Sequence, residues 1–373
     1  MTRSRRWFLS TVRLGCVAAV TGKINAEKTK PVSSTLFRYK DLSTEFQILR
    51  LTDPAFTSRL PAHYGRAVPR RGNFLLYASD VTGRMEAFRM ESKGAVSRQL
   101  TEQEGLDPAS LTLTPDERGF CCVAAGKLLL VNLANGKVRE VYRIPEGFES
   151  GPGMSLAEDG LYAALVEKSL IERKGASYRL RLIRMADGTA ATLAEAGEEM
   201  GDPIPRPRRA SVLYRRANGL WLVNYDGQQN YRLHLAEGET GPADWSPDGR
   251  GVLYLNYPAE KHKLHNIREF TPDTNEDAWI ADTTQFVAFE RNADASVFVG
   301  ASGSKASPHV LLLVRSVRRE LTLCEHRSSD PRLVSPIFSP NSQNVFFGSD
   351  QHGKPAIYSI AVEKLVSETD STQ

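Results

Sequence analysis

The chain reads as an all-β protein: a seven-bladed β-propeller closed by an N-terminal strand that completes the last blade. Three observations predict it. A polar turn feeding an apolar strand recurs seven times, the recurrences are evenly spaced, and the seventh copy lacks a final strand that the beginning of the chain supplies. The fullest copy is Trp245 to Tyr257, WSPDGRGVLYLNY, in which Ser246-Pro247-Asp248-Gly249 turns into Val252-Leu253-Tyr254-Leu255.

The copies start at Pro69 (PRRGNFLLY), Pro115 (PDERGFCCV), Ala157 (AEDGLYAAL), Pro207 (PRRASVLY), Pro247 (PDGRGVLY), Asn292 (NADASVFV) and Pro340 (PNSQNVFF). Their spacings are 46, 42, 50, 40, 45 and 48 residues, and a period near 45 suits a blade of four strands. Each copy carries a second strand: Met85–Met90, Leu128–Leu133, Tyr178–Met185, Leu220–Tyr225, His262–Phe270, Val310–Val317 and Ala356–Val362. Asn135-Gly136, Asp187-Gly188 and Asp226-Gly227 follow three of them and accept the positive φ of tight hairpins. A third strand then returns, as in Ser97 to Thr101 or Tyr231 to His234. The seventh copy ends at Val362 without one. Phe46 to Thr52 has that pattern and precedes the first copy, so it is expected to close the ring and remove the open edges.

Composition is that of a globular protein, 41% hydrophobic and 25% charged. The formal charge of +4 does not mark a nucleic-acid binder. Residues 1–26 hold five basic residues and no acidic ones; without them the count is 43 basic against 44 acidic. Those residues read as a twin-arginine-type signal peptide: Ser4-Arg5-Arg6-Trp7-Phe8-Leu9, an apolar run from Leu14 to Val20, and small residues near Ala26. The expected domains are therefore the signal over 1–26, the propeller over 36–362 and a polar tail over 363–373. Export to the periplasm or the extracellular space follows, with no transmembrane span left once the signal is removed. A lipid anchor on Cys16 stays open, although Arg13 stands where a lipoprotein signal wants an apolar residue. Cys121, Cys122 and Cys324 form neither a disulfide framework nor a metal-ligand spacing and read as apolar filler.

Propellers host many activities, so function is sought in the residues of the site. The Trp245 to Gly249 turn resembles the repeat of TolB-type propellers, which serve as interaction platforms. A more specific resemblance covers most of residues 36–362 and is to the oligogalacturonate lyases, propellers that cleave pectin-derived uronate oligosaccharides by β-elimination. It rests on Leu49-Arg50-Leu51-Thr52-Asp53-Pro54, on Tyr64, on Gly201-Asp202-Pro203-Ile204-Pro205-Arg206-Pro207, on Ala236-Glu237-Gly238-Glu239, and on Ser349-Asp350-Gln351-His352-Gly353-Lys354-Pro355-Ala356-Ile357-Tyr358. The resemblance implies an acidic oligosaccharide as partner, a histidine base for the C5 proton, and a divalent metal such as Mn²⁺ held by histidines and an amide.

Those implied positions are empty here. The metal-binding His-x-His falls on Leu333-Val334-Ser335 with the amide near Asp330, and a further ligand falls around Ala288. The base falls at Pro242 or Ala243, and an arginine falls on Gly219. No metal residue is therefore assigned. His63 and Tyr64 are the substitute candidates for base and acid. Arg59, Arg66, Arg206, Asp244 and Trp245 are the candidates for binding the sugar and its carboxylate. Three readings stay open: an enzyme with a rebuilt site, a glycan binder on the same frame, and an exported platform for a protein partner. A polar pocket with arginines favours a glycan, and a flat apolar mouth favours a protein.

Overall fold

The computed structural model describes residues 32, 35–171, 177–217, 219–260, 262–362 and 365. The signal expected over 1–26 lies outside them, as does the polar tail except for Leu365. Seven antiparallel sheets follow one another along the chain; six have four strands and the last has five. The expectation of a seven-bladed propeller is borne out.

The recurring turn has a common hydrogen-bond scheme. In the second, fifth and seventh blades a hydroxyl (Thr114, Ser246, Ser339) donates to the side chain two residues on (Asp116, Asp248, Asn341), at 2.6, 2.7 and 2.7 Å. The same hydroxyl accepts from the N–H that opens the next strand, of Gly119, Gly251 or Asn344. Side-chain to backbone bonding of this kind is what makes Ser, Thr and Asp good turn residues. Gly249 adds a close approach, with φ +70° and a position where a Cβ would lie 3.1 Å from Pro207 Cβ of the preceding blade.

The apolar strands are buried on both faces because blades stack face to face. In Phe74–Ser79 every residue is buried. Phe74, Leu76 and Ala78 pack with Phe120 and Cys122 of the second blade, while Leu75 and Tyr77 pack with Ile337 and Ile357 of the seventh. Period-2 geometry thus sends alternate side chains to opposite neighbours. The adjacent cysteines behave the same way: Cys122 joins the first blade's cluster and Cys121 the third's, both as free thiols.

Closure follows the expected route with one addition. Gln47–Arg50 pairs with Ala356–Ala361, Ile48 facing Ile360. Phe37–Lys40 then pairs with Gln47–Arg50 and becomes the outer edge. Ile48 is fully buried between the ends of the chain.

The sequence reading missed one strand per blade. Each blade begins with an inner strand before its turn: Ser58–Arg59, Thr112–Leu113, Phe148–Leu156, Met200–Pro205, Glu239–Trp245, Phe286–Arg291 and Ile337–Phe338. These line the channel. A second correction concerns the span from His262, because the strand there starts only at Asn266; residues 262–265 belong to the preceding connection.

Candidate functional site

Inner strands run from the rim where blades connect to the rim that carries the recurring turns. Four of them are bulged at a similar level, at Ser150/Met154, Gly201/Ile204, Thr240/Ala243 and Phe286/Ala288. A bulge re-aims side chains and interrupts pairing. Three of these bulges surround a cavity of about 410 Å³ lined by His63, Asp202, Arg215, Gly241, Pro242, Tyr257, Ala288, Arg332 and Ser335, among others. Pro242, Ala288 and Ser335 are three of the positions marked in the sequence as standing where related lyases keep a base and metal ligands. The fold brings them together around one space.

The first blade contributes by interruption. Arg59 pairs with Ala78, and Ala67 accepts from the N–H of Leu76, while residues 60–66 leave the sheet and cross the channel. Ala62 N–H donates to Ala109 O in the second blade. Tyr64 Oη reaches Asp202 Oδ1 of the fourth blade at 3.5 Å, and the ring packs against a cluster that holds Ile204 and Ala243. His63 Nε2 lies 2.9 Å from Ala243 O of the fifth blade, with its ring edge-on to Tyr64 at 4.9 Å. A carbonyl only accepts, so Nε2 carries the proton and Nδ1 is the basic nitrogen. Burial, aided by the Asp202 charge, raises the Tyr64 hydroxyl well above an ordinary phenol, so it acts as a donor.

On the far wall Arg215 joins two blades. It donates to Asp202 Oδ2 at 3.1 Å, Thr240 O at 2.8 Å and Gly241 O at 2.6 Å. Tyr257 stands beside Gly241, where a Cβ would lie 2.6 Å from Tyr257 Cζ. Burial pushes its phenol up to about 12, against the pull of the Arg332 and Arg215 charges. Arg332 is exposed, and its guanidinium forms no ion pair among the described residues. A second cavity of about 370 Å³ shares Ser335 with the first and is lined by Arg59, Ala62, Asp107, Leu333 and Asp350. Arg59 likewise has no ion pair among the described residues. The two cavities flank Ser335, and each offers an arginine without an ion pair among the described residues, Arg332 in one and Arg59 in the other, beside carboxylates (Asp202 and Glu239, Asp107 and Asp350); those two arginines are the groups that could take carboxylates of an extended ligand.

Four candidates from the sequence are not at this mouth. Arg66 is tied to Glu117 at 3.1 Å on the turn rim. Arg206 is 7% exposed; it donates to Gly249 O and Asp273 and lies over the Trp245 ring. Trp245 is 1% exposed, its Nε1 donating to Ile204 O, so no sugar can stack on it. Asp244 lies deeper in the channel, 3.6 Å from Arg291, near Glu290. Conversely, Arg215, Tyr257 and Arg332 were missed. A signal for two of them was present: Arg332 directly precedes Leu333-Val334-Ser335, and Tyr257 ends the WSPDGRGVLYLNY stretch.

No group of three or more His, Cys, Asp and Glu side chains fit for a metal ion occurs among the described residues. At the positions where the resemblance implies metal ligands, Ala288, Leu333 and Ser335 offer no imidazole and the Asp330 carboxylate accepts from Arg332 N–H at 3.0 Å, so the set does not make the implied histidine-rich Mn²⁺ cage.

Residues 26–165 match the family model described as oligogalacturonate lyase. The oligogalacturonide lyase of Pectobacterium atrosepticum is 24% identical over 91% of this chain and 99% of its own length. The oligogalacturonate lyase of Dickeya dadantii is 23% identical over the same shares. A solved oligogalacturonate lyase in complex with manganese superposes with a TM-score of 0.83 at 24% identity, covering 90% of this chain and 98% of the other. The resemblance read from the sequence is borne out: the chain is an oligogalacturonate-lyase-like seven-bladed propeller.

Proposed function

We propose that this lyase-like propeller binds uronate oligosaccharides across its channel mouth and does not perform metal-assisted elimination. The observation that carries the reading is the convergence of Pro242, Ala288 and Ser335 on the cavity that also holds Arg215, Tyr257 and Arg332. The cavity holds two arginines and a phenol beside Asp202 and Glu239, and where the resemblance implies a base and histidine ligands around it this chain has proline, alanine and serine. Arg332 takes one carboxylate, Arg59 the carboxylate of a neighbouring sugar, and the Tyr257 hydroxyl donates to either carboxylate or ring oxygens. Arg215 holds the wall and adds positive potential.

A second reading is slow, metal-independent elimination with His63 as base. It is favoured by the hydrogen bond to Ala243 O, which leaves Nδ1 basic. The test is absorbance near 235 nm, where unsaturated uronates absorb. The folded protein is incubated with trigalacturonate, with and without Mn²⁺. The binder reading expects no rise in either condition; a rise that Mn²⁺ enhances overturns it. A metal-independent rise abolished by His63→Ala selects the second reading. Export through the twin-arginine-type segment is part of the proposal, and loss of periplasmic protein on changing Arg5 and Arg6 to Lys tests it.

A further inference from the structure

The chain before the closure strand touches three blades along the outside of the ring. Val32 forms an antiparallel bridge with Ser97 on the outer strand of the first blade, Val32 N–H donating to Ser97 O at 2.9 Å and Ser97 N–H to Val32 O at 3.3 Å. Its side chain packs on the cluster that the first and seventh blades share, which holds Leu75, Tyr77, Ile337 and Ile357. Phe37–Lys40 is the outer edge of the seventh blade. The turn that follows is fastened to the sixth. Asp41, 5% exposed, accepts from the N–H groups of Ser43 and Thr44 with Oδ1 and from Glu325 N–H with Oδ2 at 3.0 Å. Thr44 Oγ1 donates to Leu323 O at 2.7 Å. Leu323 and Glu325 belong to the sixth blade's outer strand, Arg319–Glu325. A buried carboxylate that receives backbone donors from two elements makes a strong and directional joint.

These contacts bracket the two arginines of the mouth. Arg332 lies in the connection that leaves the sixth blade's outer strand. Arg59 lies in the first blade's inner strand, where Ser58 N–H donates to Pro355 O of the seventh blade at 2.7 Å. The second cavity therefore sits on the seam between the ends of the ring, with Arg59 and Leu60 on one side and Gly348, Asp350 and Pro355 on the other. The outer segment reaches this lining directly: Gln351, next to Asp350, donates from Nε2 to Tyr39 Oη at 2.7 Å and from N–H to Ser349 Oγ at 3.1 Å. Two cations on different blades act together on one chain only while their separation matches the spacing of its carboxylates, and the gain is lost when geometry forbids simultaneous engagement. We propose that the segment from Val32 to Arg50 is a strap that holds the sixth, seventh and first blades together and so fixes the separation of Arg332 and Arg59, making the mouth selective for linked uronates over a single one. The proposal rests on the uronate-binding reading above. Val32, Asp41 and Thr44 act in it as positioning residues, through the blades that carry the arginines.

The test compares monogalacturonate with trigalacturonate by titration calorimetry on the full folded chain. The unaltered protein is expected to bind the trimer roughly a hundredfold or more tightly than the monomer. Asp41→Ala and Thr44→Val should each lower that ratio by about tenfold, weakening the trimer and leaving the monomer unchanged. Thr44→Val exchanges a hydroxyl for a methyl group of similar size, so the comparison stands even if Asp41→Ala fails to fold. Coupling between sites is reciprocal: the trimer, and not the monomer, should slow hydrogen exchange at the Ser97 and Glu325 amides that the strap holds. A ratio kept in any folded variant, or equal weakening of both sugars, would overturn the proposal and leave the uronate reading intact. No binding of either sugar to the unaltered protein would overturn that reading and the proposal with it.

Discussion

Enlarging Gly241 by one methyl group is expected to disable the mouth by displacing Tyr257. A Cβ at this position would lie 2.6 Å from Tyr257 Cζ and 3.0 Å from Leu255 Cβ, and closer still to the phenol oxygen. Carbon atoms in contact prefer about 3.5–4.0 Å, so the ring must retreat by roughly 1 Å. The His265 ring packs on it with centroids 4.3 Å apart and its Nδ1 fixed on Phe286 O at 2.8 Å, which limits the room the phenol has to move. Overpacking of this kind costs about 1–3 kcal/mol, and the stiffer unfolded chain returns about 0.4–1 kcal/mol. A net loss of about 1–2 kcal/mol in urea unfolding is expected for Gly241→Ala, with weaker trigalacturonate binding. Tyr257→Leu removes the obstacle, so in that background the same substitution should be close to neutral. An equal loss in both backgrounds, or none in either, would refute the packing argument, because the cost would not come from the phenol.

Three further outcomes follow from the same geometry. Arg332→Ala should weaken trigalacturonate binding by about tenfold or more, since a hydrogen bond to a charged group is worth about 1.5–3 kcal/mol, and should leave the melting temperature unchanged because Arg332 is exposed. Glu290 sits in the channel wall with its carboxylate receiving the Phe338 N–H at 2.6 Å, and burial lifts it to about 8 from 4.5, opposed by that bond and Arg291 and aided by Asp244. The folded state therefore holds this proton more tightly than the unfolded chain, so its contribution to stability is full below pH 4.5 and is lost as pH rises through 8; Glu290→Gln should flatten that decline in melts recorded across the window. Ile48→Ala, at the fully buried residue of the closure strand, should cost about 2–5 kcal/mol in urea unfolding; a cost below about 1 kcal/mol would mean the ring does not depend on that strand.

The fold was legible because the blades are built from local rules. Turns such as Ser246 to Gly251 need hydroxyl, carboxylate and glycine at fixed offsets, and the strands that follow are apolar on both faces, so they stand out as runs. The inner strands escaped notice for physical reasons. Thr112–Leu113 and Ile337–Phe338 have only two residues each. Met200–Pro205 and Glu239–Trp245 are rich in Gly and Pro and are bulged, held by neighbours more than by propensity. The site was legible as a set of vacated positions, because Pro242, Ala288 and Ser335 could be counted from the recurring turns. It was not legible as a set of replacements: Arg215 and Tyr257 lie at the polar ends of otherwise apolar strands, beside Arg216 and Asn256, and only the meeting of blades gives them a role. Trp245 and Arg206 misled because a Trp beside Asp and an Arg between prolines look like ligand contacts, whereas blade packing accounts for both.

The most direct measurement is titration calorimetry of trigalacturonate into the folded protein, once in the presence of a chelator and once with excess Mn²⁺. Saturable binding of the same strength in both, lost in Arg332→Ala, is the expected result. Binding that requires Mn²⁺, or no binding in either condition, would contradict a metal-free uronate site at the mouth of this propeller.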